Sequence, residues 1–254
     1  MLLLVTDTSG KDGFVGIVRT SEGHESQRLE VIEEVPLAGG TFSAQLVPQI
    51  SGLLEKHGLR KTDIGAFIVV SGPGSFTGLR VGLAAIKALA EILHAAIVPV
   101  SLLEVLAPDS QMIAAIHDAG GSYTTLPYAV ALDAGRKEAF VGQYEMVGGE
   151  DDKSFKPVGE SLLTLENLAA LLESAVVHWI ATPDQTVLDA LTKMVSEFKR
   201  RFIRRNVRRP RSVEVAALGW QKLQAGETVS PEELDANYIR RSDAEIFAKP
   251  SAGL

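Results

Sequence analysis

The chain contains no cysteine. That excludes disulfides, thiol nucleophiles and cysteine-based zinc sites together. Paired histidines are missing too. His24, His57, His94, His117 and His178 are scattered, with no two at three- or four-residue spacing, so a zincin helix or another local two-histidine metal motif is absent. No Gly-x-Ser-x-Gly elbow occurs, which argues against a serine hydrolase. Long apolar runs are also lacking: the longest, residues 81–93, contains Lys87 and Glu91 and is too short to cross a bilayer. The amino terminus, Met1-Leu2-Leu3-Leu4-Val5, has no basic region, and Thr6-Asp7 interrupts it at once. It reads as a buried strand rather than a signal peptide. The expectation is a cytoplasmic protein with no membrane segment and no metal centre.

What remains is an ordinary globular composition. The chain has 254 residues, 46 % hydrophobic and 22 % charged, enough for one large domain or two lobes with a sizeable core. Its net charge of −7 does not mark the surface as a whole for nucleic acid. The charge is polarised, however. Residues 199–211 hold eight of the 25 basic residues and leave the rest of the chain at −15.

The pattern along the chain is α/β. Residues 2–5 are β-compatible, Ser9-Gly10-Lys11-Asp12-Gly13 is dense turn chemistry, and residues 14–19 return as a strand, with a third at 29–35. Leu46, Val47, Ile50, Leu53, Leu54 and His57 recur at helical spacing, and Gly58 stops that helix. Residues 66–70 are continuously apolar, the mark of a strand covered on both faces. Ser71-Gly72-Pro73-Gly74-Ser75-Phe76-Thr77-Gly78 then leads into a helix over 79–93. A similar series starts again: a strand over 128–132 ending at Asp133, the turn Ala134-Gly135-Arg136-Lys137, and a strand over 139–144. Asp7 and Asp133 lie 126 residues apart, about half the chain, and each ends an apolar strand before a tight turn. A helix over 162–172, a strand over 176–181 and a helix over 186–198 follow. This pattern predicts a duplicated α/β unit. Residues 108–127, with Gly120-Gly121 and a short helix at 111–117, read as the hinge, and 148–156 as an exposed acidic loop.

Several features could carry chemistry. The glycine loop brings Ser75, Thr77 and Gly78 to a helix start, where unpaired N–H groups and the helix dipole can hold an anion. No Gly-Lys-Ser/Thr follows, so it is not a P-loop, nor is it the dinucleotide fingerprint. Its glycines equally suit close packing. Asp7, with Thr8 and Ser9, and Asp133 could each orient a metal-bound phosphate, or simply cap their own turns. The helix over 79–93 is slim and apolar nearly all round, through Gly82, Ala84, Ala85, Ala88 and Ala90. It must be covered by another layer or by another chain. In the basic run, Arg204, Arg205, Arg208 and Arg209 fit a solvated face, RNA phosphates or an acidic partner.

The stretch from Ser71 to Gly82 resembles the signature of the bacterial TsaB (YeaZ) family. Thr6-Asp7-Thr8-Ser9, the segment from Ala131 to Glu138, and Tyr238-Ile239-Arg240 agree with the family in order and position. The resemblance is weak from Gly148 to Thr228. It implies the duplicated fold shared by actin, sugar kinases and Hsp70 ATPase domains, with a first lobe over 1–108 and a second over 109–254 whose last segment, from about residue 212, packs back on the first. It also implies a role. TsaB-like proteins act with a TsaD-like catalytic subunit and a TsaE-like ATPase to transfer a threonylcarbamoyl group to the adenosine beside the anticodon of tRNA. TsaB itself is the non-catalytic partner, a homodimer when alone, meeting tRNA through the complex.

On that resemblance Leu46, Ile50, Leu53, Leu83 and Ile86 are the expected partner contacts, with no catalytic residue. Asp7, Ser71, Gly72, Gly74, Ser75, Thr77 and Gly78 form a residual anion or nucleotide loop, and no cofactor is required. After residue 150 the glycines are never adjacent, so the adenosine loop of related phosphotransferases is missing. Gly39-Gly40-Thr41-Phe42-Ser43 departs from the histidine-containing segment of many relatives. The competing reading is a stand-alone ATP-dependent phosphotransferase using Asp7 and the glycine loop. A peptidase, the older label of this superfamily, lacks both metal motif and nucleophile elbow.

Overall fold

Two sheets of the same design account for the chain in its computed structural model. The structure describes residues 1–21, 28–38, 40–107, 125–147, 154–174, 176–200, 203–204 and 208–239. The first half runs β1 (Leu2–Asp7), β2 (Asp12–Ser21), β3 (Arg28–Ala38), α1 (Phe42–Lys56), β4 (Ile64–Gly72), α2 (Phe76–Leu93), β5 (Ala96–Ser101) and α3 (Leu102–Leu106). The second runs β6 (Thr125–Gly135), β7 (Glu138–Val147), β8 (Ser154–Thr164), α4 (Leu165–Glu173), β9 (Trp179–Ala181), α5 (Gln185–Met194), α6 (Glu197–Arg200), β10 (Ile203–Arg204) and α7 (Ser212–Gln224). The sheets are ordered β3-β2-β1-β4-β5 and β8-β7-β6-β9-β10. In each, the first three strands form an antiparallel meander and the other two add in parallel beside the first. The same sheet order, built by the same succession of elements, is the duplication that the two aspartates suggested, and the fold is of the actin-like class.

Alternation along the central strands sorts the core into layers, because successive side chains leave a strand on opposite faces. Leu2 and Leu4 of β1, with Phe67 and Val69 of β4, meet Leu46, Ile50 and Leu53 of α1 and Leu83 and Ile86 of α2. Leu3 and Val5, with Ile68 and Val70, face the other way, into a core shared with Tyr128, Val130, Phe140 and Trp179 of the second half. That shared layer also holds α3 and α7. A third cluster covers the far face of the second sheet under α4 and α5. Hydrophobic burial thus runs continuously from one half to the other.

Helix α7 belongs to the second half in sequence but lies against the first sheet, over β2, β3, β4 and β5. Small residues permit it. A Cβ on Gly219 would stand 2.3 Å from Ile68, and one on Gly16 would stand 2.7 Å from Cβ of Ser212. The Ser212 amide donates to Glu34 at 2.6 Å. The chain then continues along the first half: Val229 bridges Ile97, and Leu234 is buried with the α1–α2 layer.

The elements differ from the expected ones in instructive places. Helix α2 starts at Phe76 rather than residue 79, because the Ser75 hydroxyl accepts from the Gly78 amide and caps it there. Residues 154–156 of the expected acidic loop, and 162–164 of the expected helix, belong to β8, which pairs with β7 over its length. The helix expected over 186–198 breaks after Met194 and resumes only for Glu197–Arg200. β5, α3, β8 and α7 were not anticipated. The helix expected at 111–117 and most of the hinge lie outside the described residues. No helix among the described residues is long and apolar enough to cross a membrane.

Helix α2 is not buried all round: Ala84, Ala88, Glu91 and Ile92 are exposed, as are Ala44, Val47 and Pro48 of α1. The five expected partner contacts lie on the other face of these helices, toward the sheet. Leu46, Ile50, Leu53, Leu83 and Ile86 are at most 5 % exposed and packed on their own sheet. Helical periodicity identified their stripe but not its direction, and the sheet took it.

Candidate functional site

The ends of β1, β4 and β6 converge on a cavity of about 790 Å³ between the two sheets. Parallel strands aim their carboxyl ends and following loops at one place, which is where ligands enter sheets of this kind. Its walls come from the β1–β2 turn (Ser9, Gly10, Lys11), the glycine loop and the start of α2 (Pro73 to Phe76, Arg80), the β6–β7 turn (Asp133, Ala134, Arg136), Arg209, and Asn237 to Ile239.

Asp7 closes β1 and is buried. Its Oδ1 accepts from both the amide and the hydroxyl of Ser9, at 2.8 and 2.6 Å. Burial raises its pKa above the ordinary carboxylate value, opposed by the two Ser9 bonds and by the positive charge of Arg209. Asp133 repeats the arrangement. Its Oδ1 accepts from the Gly135 amide at 2.7 Å, and its Oδ2 accepts from the Thr186 hydroxyl at 2.6 Å. Each aspartate thus ties its own turn.

The glycine loop is used for close approach. A Cβ on Gly74 would stand 2.2 Å from the Ser9 carbonyl oxygen, one on Gly78 2.2 Å from that of Thr8, and one on Gly82 2.1 Å from Thr8 Oγ1. The backbone of α2 therefore rests directly on the β1–β2 turn. Two of the amides expected to face an anion are occupied: Ser75 N donates to Ser9 O at 2.6 Å, and Gly78 N donates to Ser75 Oγ. Ser71 is buried, donates its hydroxyl to Val100 O and accepts the Asn237 amide at 2.7 Å. The Gly72–Pro73 peptide is cis, and Gly72 has φ of +133°, a conformation open to glycine. Thr77 is exposed at the start of α2.

In the basic run, Arg209 reaches the cavity and pairs with Asp184 at 2.7 Å, while Arg208 pairs with Glu214. The side chains of Arg204 and Arg205 lie outside the described residues. Asp184 was not foreseen, although Pro183-Asp184 before a helix is a recognisable start signal. It also accepts the Asp133 amide at 2.8 Å, so Asp133, Asp184 and Arg209 form one chain of contacts. Arg80 lies with its guanidinium 3.7 Å from the centre of the Phe76 ring and donates through Nε to the Tyr238 hydroxyl at 3.1 Å. Phe76 and Tyr238 are themselves 5.3 Å apart. Among the described residues no group of three His, Asp or Glu side chains could hold a metal ion.

Residues 36–246 match the family described as "TsaD: tRNA N6-adenosine threonylcarbamoyltransferase". The chain is 27 % identical over 149 residues to the tRNA threonylcarbamoyladenosine biosynthesis protein TsaB of Bacillus subtilis, covering 59 % of this chain and 57 % of that one. It is 26 % identical over 185 residues to the tRNA N6-adenosine threonylcarbamoyltransferase of Ehrlichia ruminantium, covering 66 % and 49 %. The matches thus span about half the length of these curated relatives. The structure of YeaZ from Pseudomonas aeruginosa superposes with a TM-score of 0.65 at 21 % identity, over 94 % of this chain and all of that one, and so shares the fold. The chain belongs to the TsaD family, and is similar to its TsaB-named members.

Proposed function

We propose that this protein serves the threonylcarbamoyl modification of tRNA adenosine as a non-catalytic subunit, paired with a TsaD-like catalytic protein and assisted by a TsaE-like ATPase. The observation that carries the non-catalytic reading is that Asp7 Oδ1 is held by its own turn, and that Asp133 is held by the Gly135 amide and the Thr186 hydroxyl. A phosphotransferase needs at least one of them facing its metal-bound phosphate; here Asp7 is buried, with Oδ1 accepting from Ser9. The stand-alone ATP-dependent reading is weaker for the same reason. The partner surface is the outer face of α1 and α2. Val47 and Ile92 are 44 % and 73 % exposed, with Ala44, Ala84 and Ala88 beside them, so another helix backbone can approach closely. The same face would pair two copies when the partner is missing. tRNA meets the chain only within the complex, with Arg204, Arg205, Arg208 and Arg209 as the candidate phosphate contacts.

Light scattering on the chain alone, and mixed with the TsaD-like protein of its host, tests this reading. A heterodimer that Ala88→Arg prevents is the expected result, with no ATP turnover by the chain alone. Indifference to that protein, or stoichiometric ATP hydrolysis in isolation, would overturn it.

A further inference from the structure

Beyond α7 the chain runs as a strap over the first half, and a carboxylate of the second half fastens it. The strap leaves the helix at Gly226, whose φ of +77° turns the chain. The Val229 amide then donates to Ile97 O at 2.9 Å, on the edge strand β5. Leu234 is buried with the α1–α2 layer, and the Asn237 amide donates to Ser71 O at 2.7 Å, near the end of β4. The Tyr238 hydroxyl accepts from Arg80 Nε of α2. Each of these attachments belongs to the first half.

Glu160 comes from the other half. It lies on β8, opposite Gly142 of β7, and is partly buried. Its Oε1 accepts from the Ser101 hydroxyl, where β5 gives way to α3, and its Oε2 accepts from the Asn237 side-chain amide at 2.6 Å. The Ser101 hydroxyl in turn accepts from the Leu103 amide and caps α3. One carboxylate therefore holds a strand end of the first half with one oxygen and the strap with the other. Packing does not demand this. β8 is an edge strand, and residues 156–159 beside Glu160 are exposed, so a charged side chain there is free to turn to water.

The apolar core that the halves share is non-directional, and it fixes that they touch rather than how they are turned. Hydrogen bonds to a charged group are directional and among the stronger ones in proteins. Two lobes joined by a connection ordinarily move by hinge closure. We propose that Glu160 is a clasp that locks the two halves at one angle, by holding Ser101 and the strap residue Asn237 together, and so makes this chain a rigid body rather than a hinge. The proposal concerns the conformation of the chain itself and stands apart from the scaffold reading: it holds whether or not a partner docks on α1 and α2.

Double electron–electron resonance on the full chain tests this, and the lack of native cysteine leaves the spin labels without background. Asp12→Cys and Lys137→Cys place one nitroxide beside the first turn of each half; both positions are exposed and neither lines the cavity. With Glu160 present the labels should give one narrow distance distribution. Glu160→Ala should add a second, separate distance, because each lost bond to a charged group favours the open form by about tenfold or more. Asn237→Ala, which loses the strap bond alone, should give the same second distance in a smaller population. Glu160→Gln, which keeps one carbonyl acceptor, should fall between Glu160→Ala and the parent. Circular dichroism would confirm that the variants fold, and Asn237→Ala carries the test if Glu160→Ala does not. A residue that merely adds stability would lower the urea midpoint without creating a new distance in the folded chain. A broad distribution in the parent, or one that neither Glu160→Ala nor Asn237→Ala alters, would overturn the proposal.

Discussion

The two halves solve one mechanical problem with different chemistry. In each, the helix that follows the parallel strand beside the first must be fastened to the first turn: α2 to residues 8 and 9, α5 to residue 133. The first half does this by removing side chains. Gly74, Gly78 and Gly82 let the α2 backbone touch Thr8 and Ser9 directly, and Ser75 N donates to Ser9 O. The second half has no glycine in the loop after β9 and uses side chains instead, with Asp184 accepting the Asp133 amide and Thr186 donating to Asp133. The first join is rigid and intolerant of any added atom. The second is a small polar network whose links can be lost one at a time, and Arg209 is ion-paired into it through Asp184. Duplicated units therefore keep their sheet order while exchanging backbone contact for hydrogen bonding, because either fastens a helix end.

The sharpest way to break this comparison is to add one carbon to the first join. Gly78→Ala would place a Cβ 2.2 Å from the Thr8 carbonyl oxygen, which is backbone and cannot swing away. We expect about 3 kcal/mol of destabilisation, read as a lower urea midpoint with an unchanged slope. Asp184→Ala in the second half removes the acceptor for the Asp133 amide and the partner of Arg209, and should cost about 1–2 kcal/mol in the same experiment. Thr186→Val removes a single hydrogen bond from a largely exposed link and should cost about 1 kcal/mol or less. An equal penalty for Gly78→Ala and Thr186→Val would show that the two joins do not differ in kind.

The smallest expected effect concerns pH. Burial holds the Asp7 pKa above its unfolded value. The contribution of a raised carboxyl is fully present below the unfolded pKa and is lost as pH rises through the folded one. Asp7→Asn keeps an oxygen acceptor for Ser9 but cannot ionise. Its urea midpoint should therefore gain on the wild type as pH climbs from about 4 through the raised pKa. A constant difference across that range would show that the Asp7 carboxyl ionises as easily in the native state as in the unfolded chain.

Much of the fold was legible because it rests on local signals. Ala66 to Val70 reads as a strand covered on both faces, and Leu46, Ile50 and Leu53 as the apolar stripe of a helix, whose direction the sequence leaves open. β8 was illegible for the complementary reason. Its residues from Lys156 to Ser161 are partly or largely exposed, and its definition comes from pairing with β7 rather than from an apolar pattern. Helix α7 was hidden behind the basic run, which drew attention to charge and away from the small-residue face of Ser212, Ala216 and Gly219. At the site, Asp7 and the glycine loop were visible as motifs, but the same motifs serve a ligand or a turn, and only the partner atoms distinguish the two uses.

The amino-acid sequence by itself determined the duplicated α/β plan, the places where strands end in aspartate, and the family, since periodicity, turn residues and motif spacing are properties of neighbouring residues. The tertiary structure alone decided which way the helical stripes point, what Asp7 and Asp133 bond to, and that Lys11, Arg80, Arg136 and Arg209 share one cavity. Those outcomes depend on contacts between residues far apart in the chain, and the free energy of such contacts is realised only when the sheets close over a common core.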